Sequence, residues 1–194
     1  IVLDLASSAD TTQAISLMRE KLKEQGSRLD ALVNNAAVSP KMPDGARMNT
    51  FNTDEIDWKT VFQVNFFGPI MLARGLINEL SAARGAVVNV TSIAGSRVHP
   101  FAGAAYSTSK AALAALTREM ASDFGHLGVR VNAISPGEIE TSILSPGTEK
   151  IVAQLPLERL GQPEEVAKAI YFLCTEQSSY VTGAELHING GQHV

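Results

Sequence analysis

Residues 85–137 decide the fold. They read Ala86-Val87-Val88-Asn89-Val90-Thr91-Ser92 behind Gly85, then the alanine-rich stretch Ala104–Phe124, then Val129–Ile134 stopped by Pro136-Gly137. The outer pieces are β-branched runs closed by turn residues, the pattern of strands buried on both faces. The middle piece is rich in the best helix former and ends at Gly125. Strand, long helix and strand make a crossover between parallel neighbours.

The same alternation extends in both directions. Upstream, Ser7–Gln25 reads as a helix with Ser7 and Ser8 as caps, apolar Ile15, Leu17, Met18 and Leu22, and Gly26 as its stop. Leu29–Val33 is a short strand before the turn-like Asn34-Asn35. Val38–Asn52 is a loop long enough to carry specificity. Asp54–Leu80 is a long helix that Gly68-Pro69 should kink. Downstream come a mixed segment, Glu138–Gly161, a helix over Pro163–Thr175, and a strand over Ala184–Ile188 before Gly190-Gly191. One greasy face within Glu138–Gly161 (Ile139, Ile143, Leu144, Ile151, Leu155) suits either a mobile lid or core packing. The expectation is one layered α/β domain over residues 1–194, a parallel sheet with helices on both faces. Ile1-Val2-Leu3-Asp4-Leu5 reads as a buried strand already under way, with no initiator methionine.

Composition narrows the function classes. In 194 residues, 45% are hydrophobic and 19% charged, and the formal net charge is −4. A mildly acidic chain with no basic block is a poor nucleic-acid binder. The single cysteine, Cys174, cannot form an internal disulfide, which points to a reducing cytoplasm. The four histidines (His99, His126, His187 and His193) show no metal-ligand spacing, so no metal is expected. No apolar run reaches the ~18 residues of a membrane span. A cytoplasmic enzyme or a binding domain remains.

In open α/β sheets, ligands sit beyond the carboxyl ends of the strands. Those ends carry Asp4, Asn34-Asn35-Ala36, Thr91-Ser92 and Ser135-Pro136-Gly137. Short polar and small residues there suit a flat polar ligand, but they are also what loops ordinarily contain. Tyr106 and Lys110 are sharper. At i and i+4 on a helix they share one face, and an ammonium beside a phenol lowers a reference pKa near ~10 toward neutrality. That makes a usable general acid/base. Ser92, fourteen residues earlier, ends the preceding strand and could reach the same spot. Alone, such a pair is a weak signal, since most i,i+4 pairs are surface pairs. His99, in the loop between Ser92 and Tyr106, either touches ligand or is a loop surface residue.

Taken together, several motifs resemble the short-chain dehydrogenase/reductase family. They are Asn34-Asn35-Ala36-Ala37, Val64-Asn65, Thr91-Ser92-Ile93-Ala94-Gly95, Tyr106-x-x-x-Lys110-Ala111-Ala112-Leu113, Val131–Gly137 and Thr182-Gly183…Asn189-Gly190-Gly191. The resemblance runs from residue 1 to residue 191 in the family's order. It implies a Rossmann-like, doubly wound parallel sheet in a single domain. It also implies an NAD(P)(H)-dependent oxidoreductase passing hydride between nicotinamide and a carbonyl or secondary alcohol. Tyr106 would be the general acid/base, Ser92 the partner of the substrate oxygen, and Asn65 the holder of a relay water. Lys110 would bind the nicotinamide ribose and lower the tyrosine pKa. Asp4 and Leu5 would meet the adenine, and Asn34 and Ala36 would line the cofactor groove. Pro136, Gly137, Ile139 and Thr141 would cover the nicotinamide.

Two departures stand out. Ala37 replaces the glycine usual in the family's N-N-A-G. No two of the fifteen glycines lie two residues apart, so the pyrophosphate-binding turn is not in this sequence. The first two strands and helices of the family's sheet would precede Ile1, roughly 50 residues given ~30 per βαβ unit. The choice between NAD and NADP is made in that part. The likeness is greatest to oxoacyl-carrier-protein reductases and sugar or polyol dehydrogenases, which act on CH–OH groups of small molecules. The alternative is a non-catalytic fragment or binding module that cannot hold the cofactor pyrophosphate. The family likeness further implies that Asp54–Leu80 and Ala104–Phe124 pair across a two-fold axis in a homotetramer.

Overall fold

Parallel strands need crossovers, and here three crossovers place four strands side by side in chain order. The computed structural model describes residues 1–141 and 147–194. The strands β1 (Ala31–Asn34), β2 (Ala86–Val90), β3 (Arg130–Pro136) and β4 (Glu185–Ile188) form one parallel sheet in the order β1-β2-β3-β4. All five residues of β2 are buried, as its β-branched run predicts.

Alternate residues of β2 and β3 feed two separate cores. Val87 and Val131 pack against α1 (Ser8–Glu24), α3 (Gly68–Gly75), α4 (Ile77–Ala83) and α5 (Ala104–Gly125). Val88, Val90 and Ile134 pack against α7 (Pro163–Cys174), which follows the one-turn α6 (Glu149–Val152), on the opposite face. The strand order keeps moving one way while the covering helix changes face. The β3–α7–β4 crossover therefore has the opposite hand to the two before it, a rare arrangement. As a consequence, the chain after β3 crosses the carboxyl edge of the sheet, carrying Glu138 and Ile139 past the strand ends.

Local chemistry explains the helix bounds. The Ser7 hydroxyl accepts from the Asp10 amide at 3.1 Å, capping α1. The Asp54 carboxylate accepts from the Asp57 amide at 2.8 Å, capping α2 (Glu55–Phe62). In α7, Pro163 opens the first turn and Glu165 accepts from the Gln162 amide in a capping box. Its far end is held by Arg130, whose guanidinium donates to the Leu173 and Thr175 carbonyls, a cation at the negative helix pole.

Two expectations fail. The long helix does not kink at Gly68-Pro69. A π-helical turn over Gln63–Phe67 widens it just there, accommodating a proline that has no N–H to give. The sharp bend comes later, 59° between Gly75 and Ile77. Ile1–Leu5 is not a strand either. A strand exists through its ladder, and these residues have no ladder partner among the described residues. Leu3 and Leu5 turn onto the core instead, while Ile1 and Val2 are exposed. Ile143 and Leu144, part of the expected lid face, lie outside the described residues. Ile139 makes an isolated parallel bridge with Gly161, and Leu155 is buried.

A chain of buried amides runs through the core. Asn34 Nδ2 donates to Asn89 Oδ1 (2.8 Å), and Asn89 Nδ2 donates to Thr117 Oγ1 (2.9 Å). It ties β1 to β2 and β2 to α5. Asn89→Ala leaves two buried partners unsatisfied, and should cost about 1–3 kcal/mol. In urea unfolding, the midpoint should fall at unchanged m-value.

Candidate active site

The strand ends and the start of α5 enclose a cavity of about 540 Å³, within the usual range for a small-molecule site. Its wall brings together Ala36, Ser92, Tyr106, Lys110, Pro136, Gly137, Ile139 and Thr141. Of the expected site residues, Asp4, Leu5, Asn34 and Asn65 do not line it. Asp4 is exposed and accepts from the Ala6 amide in a local turn. Leu5 packs onto the core, and its carbonyl accepts from Gln63 Nε2. Asn34 is spent on the strand-to-strand tie described above.

Ser92 ends β2 in extended conformation and caps the short helical turn Ile93–Gly95, its hydroxyl accepting from the Ala94 amide at 3.2 Å. Tyr106 stands in the first turn of α5 and shares the cavity wall with Ser92. The two are brought together because Gly95 lies flat on α5. A Cβ there would come within 2.9 Å of the Ala111 nitrogen and 3.0 Å of the Lys110 carbonyl carbon. Only glycine permits that approach.

Lys110 is buried, its ammonium 5.7 Å from the centre of the Tyr106 ring. The ammonium donates to the Val90 carbonyl at 2.6 Å. Burial alone pulls its pKa down to about 8. The expected lowering of the Tyr106 pKa is corrected here: burial pushes the phenol above its ordinary value, against the Ser92 hydrogen bond and with a further push from the Glu138 carboxylate. The physical reason is desolvation: the phenol is buried in the wall, where its charged form is disfavoured.

Asn65 sits in the π-helical turn and is buried. Its Oδ1 accepts from the Val38 amide (2.8 Å), and its Nδ2 donates to the Val38 carbonyl (3.0 Å) and to Ser109 Oγ (3.1 Å). Ser109 in turn donates to the Tyr106 carbonyl at 2.7 Å. Asn65 thus braces the helix turn between Tyr106 and Lys110 through Ser109.

His99 is not a loop surface residue. It is buried, lines the cavity and lies 2.6 Å from Glu138 Oε1. Sequence reasoning passed over Glu138 and Lys41, both in the wall. An acidic residue directly after Pro136-Gly137, at a strand end, was the available signal for Glu138. The Lys41 ammonium donates to the Phe101 carbonyl, and its pKa is lowered by burial and then by Arg47. The loop expected to carry specificity therefore reaches the cavity through Ser39 and Lys41. Among the described residues, no group of three or more His, Cys, Asp or Glu could hold a metal ion.

A flat aromatic ring fits the Ala36/Pro136/Gly137 side of the wall, which carries no large side chain. Gly137 is required there, since a Cβ would meet Gln192 Oε1 at 2.6 Å and Asn189 Cβ at 2.7 Å.

A family profile described as enoyl-(acyl carrier protein) reductase matches residues 1–193. Protein FixR of Bradyrhizobium diazoefficiens is 58% identical over 193 residues, covering 99% of this chain and 69% of that protein. The 3-oxoacyl-[acyl-carrier-protein] reductase FabG of Aquifex aeolicus is 36% identical, covering 84% and 65%. A crystal structure of an oxidoreductase of the short-chain dehydrogenase/reductase family from Brucella ovis, in complex with a partially ordered NAD, is 61% identical. It superposes with a TM-score of 0.84 over 97% of this chain and 78% of that one.

Two outcomes are expected. Gly95→Ala should push Ser92 away from α5 and lower kcat on any turned-over substrate far more than it lowers the unfolding midpoint. For Lys110, the unfolded state holds a proton up to 10.5 while the folded state loses it near 8. Between those values the unfolded chain binds more protons, so stability rises with pH. The cost at neutral pH is on the order of 3 kcal/mol. Urea titrations of the wild type should show this rise from pH 8 to 10, and Lys110→Met should flatten it.

Proposed function

The chain belongs to the short-chain dehydrogenase/reductase family of oxidoreductases, with NAD or NADP as the cofactor, and on that premise we propose that it interconverts a carbonyl and a secondary alcohol with Tyr106 as general acid/base. The observation that carries this reading is the convergence of Ser92, Tyr106 and Lys110 on one cavity wall, with Lys110 one helical turn beyond Tyr106. A binding module has no use for a buried phenol and ammonium held at that spacing.

The cofactor supplies or takes the hydride. Ala36, Pro136, Gly137, Ile139 and Thr141 would hold its nicotinamide end, with Lys110 near the ribose. Asp4, Leu5 and Asn34 would serve the rest of it in the same reading. Ser92 would donate to the substrate oxygen and orient it. Tyr106, whose phenol is pushed up by burial, keeps its proton at neutral pH and is suited to deliver it to a carbonyl oxygen. In the oxidation direction the same oxygen must accept a proton, so that direction should gain with rising pH. Asn65 would bind the relay water, a role its bracing of Ser109 leaves room for on Oδ1.

The reaction is oxidation or reduction at CH–OH in the manner of oxoacyl reductases or polyol dehydrogenases, and the proposed location is the cytoplasm, supported by the unpaired Cys174. No single helix among the described residues is long and apolar enough to cross a membrane. A homotetramer is proposed as well. Ile56, Phe67, Ala111 and Ala115 stay exposed on α2, the π-helical turn and α5, which lie side by side, and an isologous contact needs only one such patch.

Tyr106→Phe removes the transferring proton and should lower kcat by about 10³ or more on a carbonyl substrate; a variant that keeps most of its kcat overturns the assignment. Light scattering at micromolar concentration should return a multiple of the chain mass, four before two, and a clean monomer would refute the assembly.

A further inference from the structure

One buried carboxylate stands in the catalytic cavity and has no part in the chemistry above. Glu138 is the sole acidic side chain among the described residues of the wall, and its side chain is only 8% exposed. Three loops meet on it. His99, from the β2–α5 connection, lies 2.6 Å from Oε1, and Gln192, from the segment after β4, donates to the same oxygen at 3.3 Å. Glu138 itself follows β3. Oε2 takes no bond from the described residues.

The donors to Glu138 follow from the geometry. His99 Nδ1 accepts from two backbone amides, Phe101 and Ala102, each at 3.3 Å. Nε2 is therefore the nitrogen that donates to Glu138. Burial opposes ionisation of the carboxyl, but His99, by hydrogen bond and by charge, and the Gln192 hydrogen bond prevail, and Glu138 titrates below its ordinary value. Two cations share the wall, and both are engaged: Lys41 donates to the Phe101 carbonyl and Lys110 to the Val90 carbonyl. Glu138 and Tyr106 line the same cavity, and the Glu138 charge adds to the raised pKa of the phenol.

We propose that Glu138, held by His99 and by Gln192, is a specificity-determining residue whose free Oε2 accepts from a hydroxyl or ammonium group next to the reacting carbon and turns away substrates with a carboxylate there. The inference rests on the reading of Tyr106 as the reacting group, and names the substrate class for it: vicinal diols, hydroxyketones and amino alcohols. A like charge brought against a buried carboxylate is strongly disfavoured, whereas a donor satisfies an acceptor that is otherwise left unmade.

Three compounds with the same secondary alcohol carbon make the test: propane-1,2-diol, 1-aminopropan-2-ol and lactate. Their flanking groups are hydroxymethyl, aminomethyl and carboxylate. Binding is read by saturation-transfer NMR on the full chain, and turnover by cofactor reduction. The diol or the amino alcohol should exceed lactate by about tenfold or more in affinity, and in kcat/KM where turnover is seen. Whichever of the two leads identifies the donor. Glu138→Gln keeps the acceptor for His99 and removes the charge, so it should bring lactate within about threefold of the leader. His99→Gln keeps a donor to Glu138 and leaves the charge, so it should preserve the preference. A purely structural brace would make the two variants behave alike. Equal binding of all three, binding of none, a preference for lactate, or a preference that survives Glu138→Gln overturns the proposal. An active Tyr106→Phe variant would instead overturn the catalytic reading, and the binding order would still decide for or against Glu138.

Discussion

Between the turn after β2 and the helix α5 there is no room for a single carbon atom at Gly95. That contact sets the distance between a strand end and a helix start, and the arrangement of Ser92, Tyr106 and Lys110 depends on it. Ser92 is carried by the strand and the capped turn. Tyr106 and Lys110 are carried by the helix, one turn apart. A separation wider by one methyl group would move the strand end and its Ser92 away from Tyr106. The amide chain Asn34–Asn89–Thr117 secures the same layer from behind, because β1, β2 and α5 cannot slide without breaking buried hydrogen bonds.

The electrostatics of the cavity are those of a desolvated wall with few charges, each tied to backbone or to a neighbour. Lys110 answers to the Val90 carbonyl and Lys41 to the Phe101 carbonyl. Glu138 is the exception, with donors on one oxygen and none on the other among the described residues. Burial dominates the titration of Tyr106 and Lys110 and drives them in opposite directions, as it must for an acid that is neutral when protonated and one that is charged. Both shifts favour the uncharged forms. The phenol thus keeps its proton, and the site by itself is poised as a proton donor.

The unusual hand of the β3–α7–β4 crossover has a part in this. Because α7 packs on the face opposite α5, the chain leaving β3 passes over the carboxyl edge of the sheet. That passage places Pro136, Gly137, Glu138 and Ile139 in the cavity wall. The close fit of Gly137 against Asn189 and Gln192 locks the same edge to the segment after β4, which brings Gln192 to Glu138.

Sequence alone determined the element types, the layering and the pairing of Tyr106 with Lys110, because hydrophobic period, caps and i,i+4 spacing are local properties. The helix over Ser8–Glu24 and the strand over Ala86–Val90 lie where their caps and β-branched run put them. The strand ends pointed to Ser92, Pro136 and Gly137, and the family motifs gave them roles; all three do converge on one cavity. Only the tertiary structure decided the rest, and in each case the cause is a contact distant in sequence. Ile1–Leu5 has strand composition but no ladder among the described residues, and pairing cannot be read from one strand. Pro69 does not kink its helix because a π-helical turn absorbs it. The Tyr106 pKa goes up because burial in the folded wall disfavours the phenolate, and the Lys110 ammonium beside it turns to a carbonyl twenty residues away. Glu138 and His99 met only when a loop before α5 and the residue after β3 were folded onto one edge, 39 positions apart in the chain.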